Sequence, residues 1–207
     1  MKYRKMENIG IEVSEISFGA WAIGGAWGNV DDSDSMNALR TGIENGINFI
    51  DTADVYGDGK SEKLVASAKK ETGKEIFVAT KAGRRLNPHN SRGYDSKNLN
   101  EFVDRSRKNL GVETIDLLQL HCPPTQVFYK PEVFDILEKM VEDKKIKHYG
   151  VSVEKVEEGM KAIQYPNVKT VQIIFNMFRQ RPNEYFLKEC KRRGIGVIVR
   201  VPLASGL

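Results

Sequence analysis

Short apolar runs alternate with amphipathic stretches along almost the whole chain, and this alternation restricts the fold more than any other feature. Six stretches have helical periodicity, at residues 33–45, 60–72, 98–110, 130–144, 153–164 and 183–193. Seven runs around them have the length and composition of buried strands: EISFGAWAI, INFIDT, IFVATKA, IDLLQLH, IKHYGVS, KTVQIIF and IGVIVRV. Repeated strand–helix units with short connections predict an α/β fold, with a parallel sheet covered by helices.

The chain is long enough to bury a sizeable core, with 207 residues of which 40% are apolar and 29% charged. No linker rich in Pro or Ser divides it, so we predict a single barrel domain over residues 1–207. The opening KYRKMENIGIEVSEISFG predicts a small hairpin that turns at Glu7–Gly10 before the first barrel strand. Such a hairpin could plug the bottom of a barrel.

Charge and cysteine content predict a protein of the reduced cytoplasm. The 32 basic and 28 acidic residues are mixed along the chain, and the resulting net charge of +4 gives no reason to expect nucleic acid. The two cysteines, Cys122 and Cys190, lack CxxC spacing, and the start of the chain has no apolar signal core. No apolar run approaches the ~20 residues that cross a bilayer, so we expect no membrane partner.

Polar residues occur at the same end of successive predicted strands. In a parallel β/α barrel the carboxyl ends of all strands lie on one face, which is where such barrels carry out their chemistry. An acid, a base and an imidazole therefore end three consecutive strands on one face, and a Tyr follows one short loop away, at position 56. The strand-end residues are Asp51, Lys81, His121, Ser152, Gln172 and Arg200.

Each of these residues also has a simpler explanation on its own. An Asp after a strand often caps the next helix, a Lys often extends its stem along a surface, and a His before Cys-Pro-Pro is often a hydrogen-bonded loop residue. The coincidence of all three with Tyr56 favours a functional site.

These side-chain types together suit proton donation to a carbonyl oxygen. A Tyr hydroxyl has an ordinary pKa of ~10 and is a poor acid at neutral pH unless a neighbour stabilises its phenolate. Lys81 could do so if Asp51 keeps it charged and oriented, and His121 could orient the substrate oxygen toward Tyr56. This set contains no nucleophile and no metal cage, so a hydride donor would complete it.

Six motifs resemble the aldo-keto reductases in their order and spacing, from about Gly19 to the last residue. They are FIDTADVYGDGKSE, VATKAG, LLQLHCP, GVS, VQIIFN and VPLASGL. The resemblance implies a (β/α)8 TIM barrel that reduces an aldehyde or ketone with NADPH. It also implies a catalytic tetrad of Asp51, Tyr56, Lys81 and His121, with Tyr56 as the general acid.

The resemblance implies NADP(H) binding without a GxGxxG turn, and the sequence has no such turn. Ser152 and Gln172 match positions that hold the nicotinamide carboxamide, Trp21 matches the pocket wall, and Pro202–Leu207 match the stretch along the pyrophosphate. The full predicted cofactor set is Trp21, Asp51, Ser152, Gln172, Arg200, Val201, Pro202, Leu203, Ala204, Ser205 and Gly206.

The sequence departs from the family pattern in three places. Arg200 stands where many members have an aromatic residue, and Val153 where an Asn is frequent. The family's barrel has eight strands, whereas this sequence stops after the seventh, so the loop that grips the 2′-phosphate and decides between NADP and NAD has no counterpart. We expect the open barrel edges to allow pairing of two copies.

Three accounts fit this ending: a retained piece of a longer protein, a short product completed by a partner chain, or an inactive relative. A nicotinamide-sensing regulatory or binding module is the alternative to an enzyme.

The substrate is expected to be a small carbonyl compound of unidentified structure. The polar segment Ala82–Asn98 is too long for an idle connection and is expected to be a flexible loop facing the substrate. Its basic residues would favour an anionic substrate if they turn toward the site, or would be solvated if they do not. These residues are Arg84, Arg85, His89 and Arg92.

Overall fold

The computed structural model describes residues 1–25, 28 and 30–206, and these form a curled parallel sheet with helices on its outside. A two-stranded antiparallel hairpin precedes the sheet, with strands β1 (Tyr3–Met6) and β2 (Ile11–Ser14). The parallel sheet has seven strands in chain order among the described residues: β3 (Phe18–Gly19), β4 (Phe49–Asp51), β5 (Phe77–Ala82), β6 (Ile115–His121), β7 (Ile146–Ser152), β8 (Val168–Ile174) and β9 (Gly196–Arg200). The predicted α/β barrel architecture, with seven parallel strands and an N-terminal hairpin, is confirmed.

Helices connect consecutive strands, as the sequence pattern predicts. The buried side of each helix packs on the sheet, and the first and third helices begin at a side-chain cap. Asp31 caps the first helix by accepting a hydrogen bond from the backbone N–H of Ser33, and Asp95 caps the third through Asn98. The six helices of the described chain are α1 (Asp32–Glu44), α2 (Lys60–Thr72), α3 (Ser96–Leu110), α4 (Pro131–Glu142), α5 (Val156–Ala162) and α6 (Phe186–Arg192).

The inward-facing side chains form two levels, an apolar level near the amino ends of the strands and a polar level near their carboxyl ends. Asp51 lies opposite Ala79, Lys81 opposite Gln119, and Ser152 opposite Gln172 across neighbouring strands. Near the amino ends of the strands, a cluster of buried apolar side chains fills the interior: Phe49, Ala79, Leu117 and Ile198, joined by Val13 of the hairpin. Because side chains alternate along a strand, the residues two positions further on point inward at the carboxyl end.

The hairpin closes the bottom of the sheet, as predicted. Val13 is buried in the apolar cluster, and Met6 and Ile11 pack against it. Asn48, just before β4, accepts a hydrogen bond from the backbone N–H of Ser14 and donates one to the carbonyl of Glu12. The polar level at the opposite end is therefore the one that faces the helix N-termini and the longer loops.

Several predicted boundaries are wrong, and α5 and α6 begin at Val156 and Phe186 rather than at positions 153 and 183. The first predicted strand, EISFGAWAI, contributes only Phe18 and Gly19 to the sheet, because the chain turns into a 3₁₀ turn at Ala22–Gly24. The irregular segment expected to end at Asn98 ends earlier, because Asp95 caps α3 and the helix begins at Ser96. Its first residue, Ala82, still belongs to β5.

The described part of the chain has two sheet edges, at β3 and β9, where each strand has one neighbour. Whether copies pair there stays a prediction. None of the helices in the described ranges is both long enough and apolar enough to span a membrane.

Candidate active site

Lys81 lies at the centre of the polar level and is fully buried, with 0% of its side chain exposed. Its ammonium donates to Asp51 Oδ2 at 2.7 Å, to the Thr52 carbonyl at 2.8 Å and to the Tyr56 hydroxyl at 3.2 Å. All three donor positions of the ammonium are therefore satisfied, as a buried charge requires. The nitrogen also lies 4.9 Å from the centroid of the Tyr56 ring.

Asp51 connects Lys81 to the far side of the barrel. Its Oδ2 accepts from Lys81, while Oδ1 accepts from the side-chain amides of Gln172 at 2.9 Å and Gln119 at 3.2 Å. The Asp51 carboxylate thus ties strands β4, β5, β6 and β8 together with charge-assisted hydrogen bonds.

Tyr56 occupies a tight turn that follows β4. The turn reaches its shape because Gly57 has φ 58° and Asp58 has φ 55°, both left-handed. A Cβ at Gly57 would lie 2.4 Å from the Gly24 carbonyl oxygen, so the turn packs directly on the backbone that follows β3. Gly57 is thus required both by its left-handed backbone conformation and by close packing. The packing helps to fix the position of Tyr56.

Burial and the neighbouring charge act on the Tyr56 hydroxyl in opposite directions. Burial raises the pKa of Tyr56, and the Lys81 ammonium works against that rise. Burial also acts to lower the pKa of Lys81, but the Asp51 carboxylate outweighs it and the pKa is raised. Lys81 is therefore a cation and Tyr56 a neutral phenol at neutral pH, which is the pair of states that proton donation needs.

His121 meets Tyr56 edge to face, with ring centroids 5.8 Å apart and an interplanar angle of 84°. Burial lowers the pKa of His121 to about 2, and the nearby cations Lys81, Arg84 and Arg200 act in the same direction. The imidazole is therefore neutral and can hydrogen-bond a substrate oxygen without adding a charge. Its Nδ1 is buried with no hydrogen-bond partner among the described residues.

The ends of β7, β8 and β9 place Ser152, Gln172 and Arg200 beside this group. Ser152 Oγ donates to Gln172 Oε1 at 3.1 Å and lies 3.5 Å from the sulfur of Cys122. Arg200 Nη2 donates to the Val153 carbonyl at 3.1 Å and approaches Cys122 Sγ at 3.7 Å. Its Nε is buried without a partner in the described structure, so Arg200 retains an unused donor.

The remaining predicted cofactor residues lie at the carboxyl ends of β3 and β9. Trp21 follows β3 and is 49% exposed. Residues 201–206 follow β9 and are mostly exposed, and Val201, Ala204 and Ser205 have positive φ angles. Leu207, the last residue of the predicted pyrophosphate stretch, lies outside the described residues.

The loop after β5 divides its basic residues between different partners. Arg85 forms an ion pair with Asp58 in the Tyr56 turn, and His89 Nε2 lies 2.9 Å from the hydroxyl of the buried Tyr94. Arg84 is exposed, and its positive charge is one of those that lower the pKa of His121. Whether any of these basic residues contacts an anionic substrate stays a prediction.

Sequence reasoning missed several groups that hold the site. Gln119 and the Thr52 carbonyl complete the contacts of Asp51 and Lys81, and the Cys122 sulfur lies between Ser152 and Arg200. Gln119 could have been found, because it lies two residues before His121 and alternation places both on the same strand face. No sequence pattern indicates which backbone carbonyl accepts a hydrogen bond from a buried side chain.

Asp54 is a buried acid beside the site whose two carboxyl oxygens have no hydrogen-bond partner in the described structure. Burial raises its pKa to about 7, the Glu62 charge adds to the rise, and the guanidinium groups of Arg85 and Arg105 oppose it. Its backbone N–H donates to the Lys81 carbonyl at 3.3 Å, so this acid is part of the framework of the Tyr56 turn.

Replacing Asp54 by Asn is expected to stabilise the protein more at pH 8 than at pH 5. The folded-state pKa, about 7, exceeds the ordinary 3.8, so the folded protein binds the proton more tightly. Stability is therefore lost as the pH rises through this window, and the full penalty applies above it. Asn carries no charge and does not titrate. The free energy of unfolding of Asp54→Asn relative to the wild type should therefore be about 2 kcal/mol larger at pH 8 than at pH 5.

Urea unfolding at pH 5 and pH 8 measures this difference. Asp34→Asn provides a control, because Asp34 is exposed at the start of α1 and its variant should keep the same offset from the wild type at both pH values. An Asp54→Asn offset that does not change with pH would contradict the raised pKa.

Comparisons with known proteins agree with one another. The model of the aldo/keto reductase family matches residues 15–207. The sequence is 33% identical over 213 residues to aldo-keto reductase YhdN of Bacillus subtilis, covering 100% of this chain and 63% of that protein. It is 29% identical over 202 residues to aldo-keto reductase yakc [NADP(+)] of Schizosaccharomyces pombe, covering 94% of this chain and 59% of that protein.

A solved structure has the same fold. The holo form of aldo-keto reductase AKR11C1 from Bacillus halodurans superposes with a TM-score of 0.86 at 28% identity, and the match covers 100% of this chain and 68% of that one. The chain thus spans less than two thirds of the length of the two relatives above.

Proposed function

The chain belongs to the aldo/keto reductase family, and from that premise we propose that it reduces an aldehyde or ketone to an alcohol with NADPH as the hydride donor. The observation that carries the proposal is the buried Lys81 ammonium, which contacts Asp51 and Tyr56 at once. A protonated phenol held beside a fixed cation is suited to donating a proton to an oxygen that gains negative charge.

Each side chain has a distinct role in this proposal. Tyr56 is the general acid, because its hydroxyl is protonated at neutral pH and its phenolate would be stabilised by Lys81. Asp51 keeps Lys81 charged and oriented. His121 is neutral and orients the substrate carbonyl beside Tyr56 by a hydrogen bond. The substrate is a small carbonyl compound, bound on the face where the four groups meet.

The polar atoms at the ends of β6, β7, β8 and β9 fit the nicotinamide part of NADP(H). Arg200 Nε and His121 Nδ1 are buried and unpaired in the described structure, and Ser152 and Gln172 are hydrogen-bonded neighbours at the barrel mouth. We assign Ser152 and Gln172 to binding of the nicotinamide carboxamide, and Arg200 to the nicotinamide ring. Trp21 and residues 201–206 are assigned to the rest of the cofactor. When bound, NADPH supplies the hydride that these side chains lack.

Turnover by the purified protein tests the proposal. Carbonyl-dependent loss of NADPH absorbance is expected across a panel of small aldehydes and ketones. A reaction without the carbonyl compound gives the background rate. A separate fluorescence titration with NADPH measures binding independently of turnover.

The two measurements together separate the enzyme from its alternatives. Binding of NADPH with no turnover of any carbonyl compound would contradict a reductase and favour a nicotinamide-sensing module. Absence of both binding and turnover would contradict the cofactor assignment as well.

A further inference from the structure

The turn that carries Tyr56 has a strained backbone that is also held by contacts from neighbouring elements. Asp58 has φ 55° without being a glycine, a conformation that costs free energy and persists only where surrounding contacts enforce it. Within the turn, the amides of Tyr56 and Asp58 each make one hydrogen bond, to the Ala53 and Val55 carbonyls at 3.1 Å and 3.3 Å. The Lys60 amide, at the start of α2, also donates to the carbonyls of Tyr56 and Gly57, and Gly57 packs on the Gly24 backbone.

Arg105 adds a further constraint from α3. Its Nη1 donates to the Asp54 carbonyl at 3.2 Å, and its Nη2 donates to the Asp58 carbonyl at 2.7 Å and to Asp58 Oδ1 at 2.8 Å. One guanidinium therefore binds the backbone on both sides of Tyr56, two residues before it and two residues after it. The planar fork of an Arg suits such a two-point contact, whereas a Lys ammonium cannot span it.

The contacts to the two carbonyls matter more than the ion pair with the carboxylate. The Asp58 side chain is 75% exposed and is shared with Arg85, and exposed ion pairs contribute little. The carbonyl contacts fix the main chain, and with it the position of the Tyr56 hydroxyl relative to Lys81. No hydrogen bond or ion pair joins Arg105 to the side chains of Asp51, Tyr56, Lys81 or His121 in the described structure.

We infer that Arg105 is a positioning residue, which clamps the backbone of residues 54–58 so that the Tyr56 hydroxyl stays within hydrogen-bonding distance of Lys81. This inference rests on the proposed role of Tyr56 as the general acid. A small displacement of a reacting group has a large effect on rate, so loss of the clamp should reduce turnover while ligand binding persists.

Arg105→Gln tests the inference against the matched variant Arg107→Gln. Both residues lie on α3, both side chains are 29% exposed, and both donate to a backbone carbonyl, but Arg107 contacts Glu113 and Asp104, away from the site. Arg105→Gln is expected to lower kcat about 10-fold, with KM and the NADPH dissociation constant unchanged. Arg107→Gln should leave kcat unchanged.

Amide hydrogen exchange of a peptide covering residues 53–59 provides a readout that needs no turnover. Exchange should be faster in Arg105→Gln than in the wild type and unaltered in Arg107→Gln, because only the first loses the clamp. If the wild type shows no turnover, the proposed function fails, and hydrogen exchange still decides whether Arg105 holds the turn.

Two further variants identify which contact acts. Asp58→Asn removes the ion pair, keeps both carbonyl contacts and tolerates the left-handed conformation, so its kcat should stay near that of the wild type. Arg105→Ala should recover part of its lost kcat when guanidinium is added at millimolar concentration. Equal kcat in Arg105→Gln and the wild type, or equal exchange in their 53–59 peptides, would overturn the inference.

Discussion

Replacing Tyr56 by Phe is expected to lower kcat for carbonyl reduction by about 10²–10⁴-fold, the usual contribution of a positioned general acid. The substitution removes the proton to be donated and little else. Lys81 loses a hydrogen bond of 3.2 Å but keeps those to Asp51 and the Thr52 carbonyl. The free energy of unfolding should therefore change by only about 1 kcal/mol, and NADPH binding should persist.

Steady-state kinetics with the best carbonyl substrate measures this effect. Tyr129→Phe provides the control, because Tyr129 is exposed and contacts Lys161 of α5, so its variant should match the wild type. The wild-type kcat for reduction should stay level from about pH 6 to about pH 9, because burial raises the pKa of Tyr56 above its ordinary value. Equal kcat for Tyr56→Phe and the wild type would remove Tyr56 from the mechanism.

Replacing Lys81 by Met is expected to affect both stability and activity. The ammonium is the cationic partner of Asp51, which is only 14% exposed, and removing one partner of a buried ion pair typically costs about 3–5 kcal/mol. The phenolate of Tyr56 would also lose its stabilising charge, so kcat should fall at least about 100-fold. Urea unfolding and kinetics at a temperature where the variant is folded separate these two losses.

Lys147→Met is a matched control for the stability effect. Lys147 pairs with Asp116 at 2.7 Å, the same distance as the Lys81–Asp51 pair, and Asp116 is 13% exposed. The difference lies in the lysine, because the Lys147 side chain is 56% exposed whereas that of Lys81 is fully buried. Lys147→Met should therefore cost at most about 1 kcal/mol. Equal losses in the two variants would show that burial of the lysine is not the source of the effect.

The positions of the strand ends could be predicted from the sequence, because they depend on local periodicity. Four of the residues predicted at strand ends, Asp51, His121, Ser152 and Arg200, are the last residues of their strands. Parallel topology then places these ends on one face whatever the details of packing, so chemistry at the ends of successive strands is visible in a single sequence.

The contacts that organise the site could not be predicted in the same way. The bonds from Gln119 and Gln172 to Asp51 cross the barrel interior, and their geometry depends on how far the sheet curls. The clamp of Arg105 on the Tyr56 turn joins residues about 50 positions apart through backbone carbonyls, which carry no side-chain signature. The first strand is shorter than its apolar run because tertiary packing against the Tyr56 turn overrides its strand propensity.

The shared carboxylate of Asp51 has a consequence for energetic coupling across the barrel. One oxygen accepts from Lys81 and the other from Gln172, so the two sides of the barrel compete for the same negative charge. A contact that moves the Gln172 amide away from Asp51 leaves more of the carboxylate's negative charge to interact with the Lys81 ammonium. Coupling free energies are reciprocal. A ligand that binds Gln172 and shifts the ionisation of the Lys81–Tyr56 pair therefore has its own affinity changed by that ionisation by the same factor.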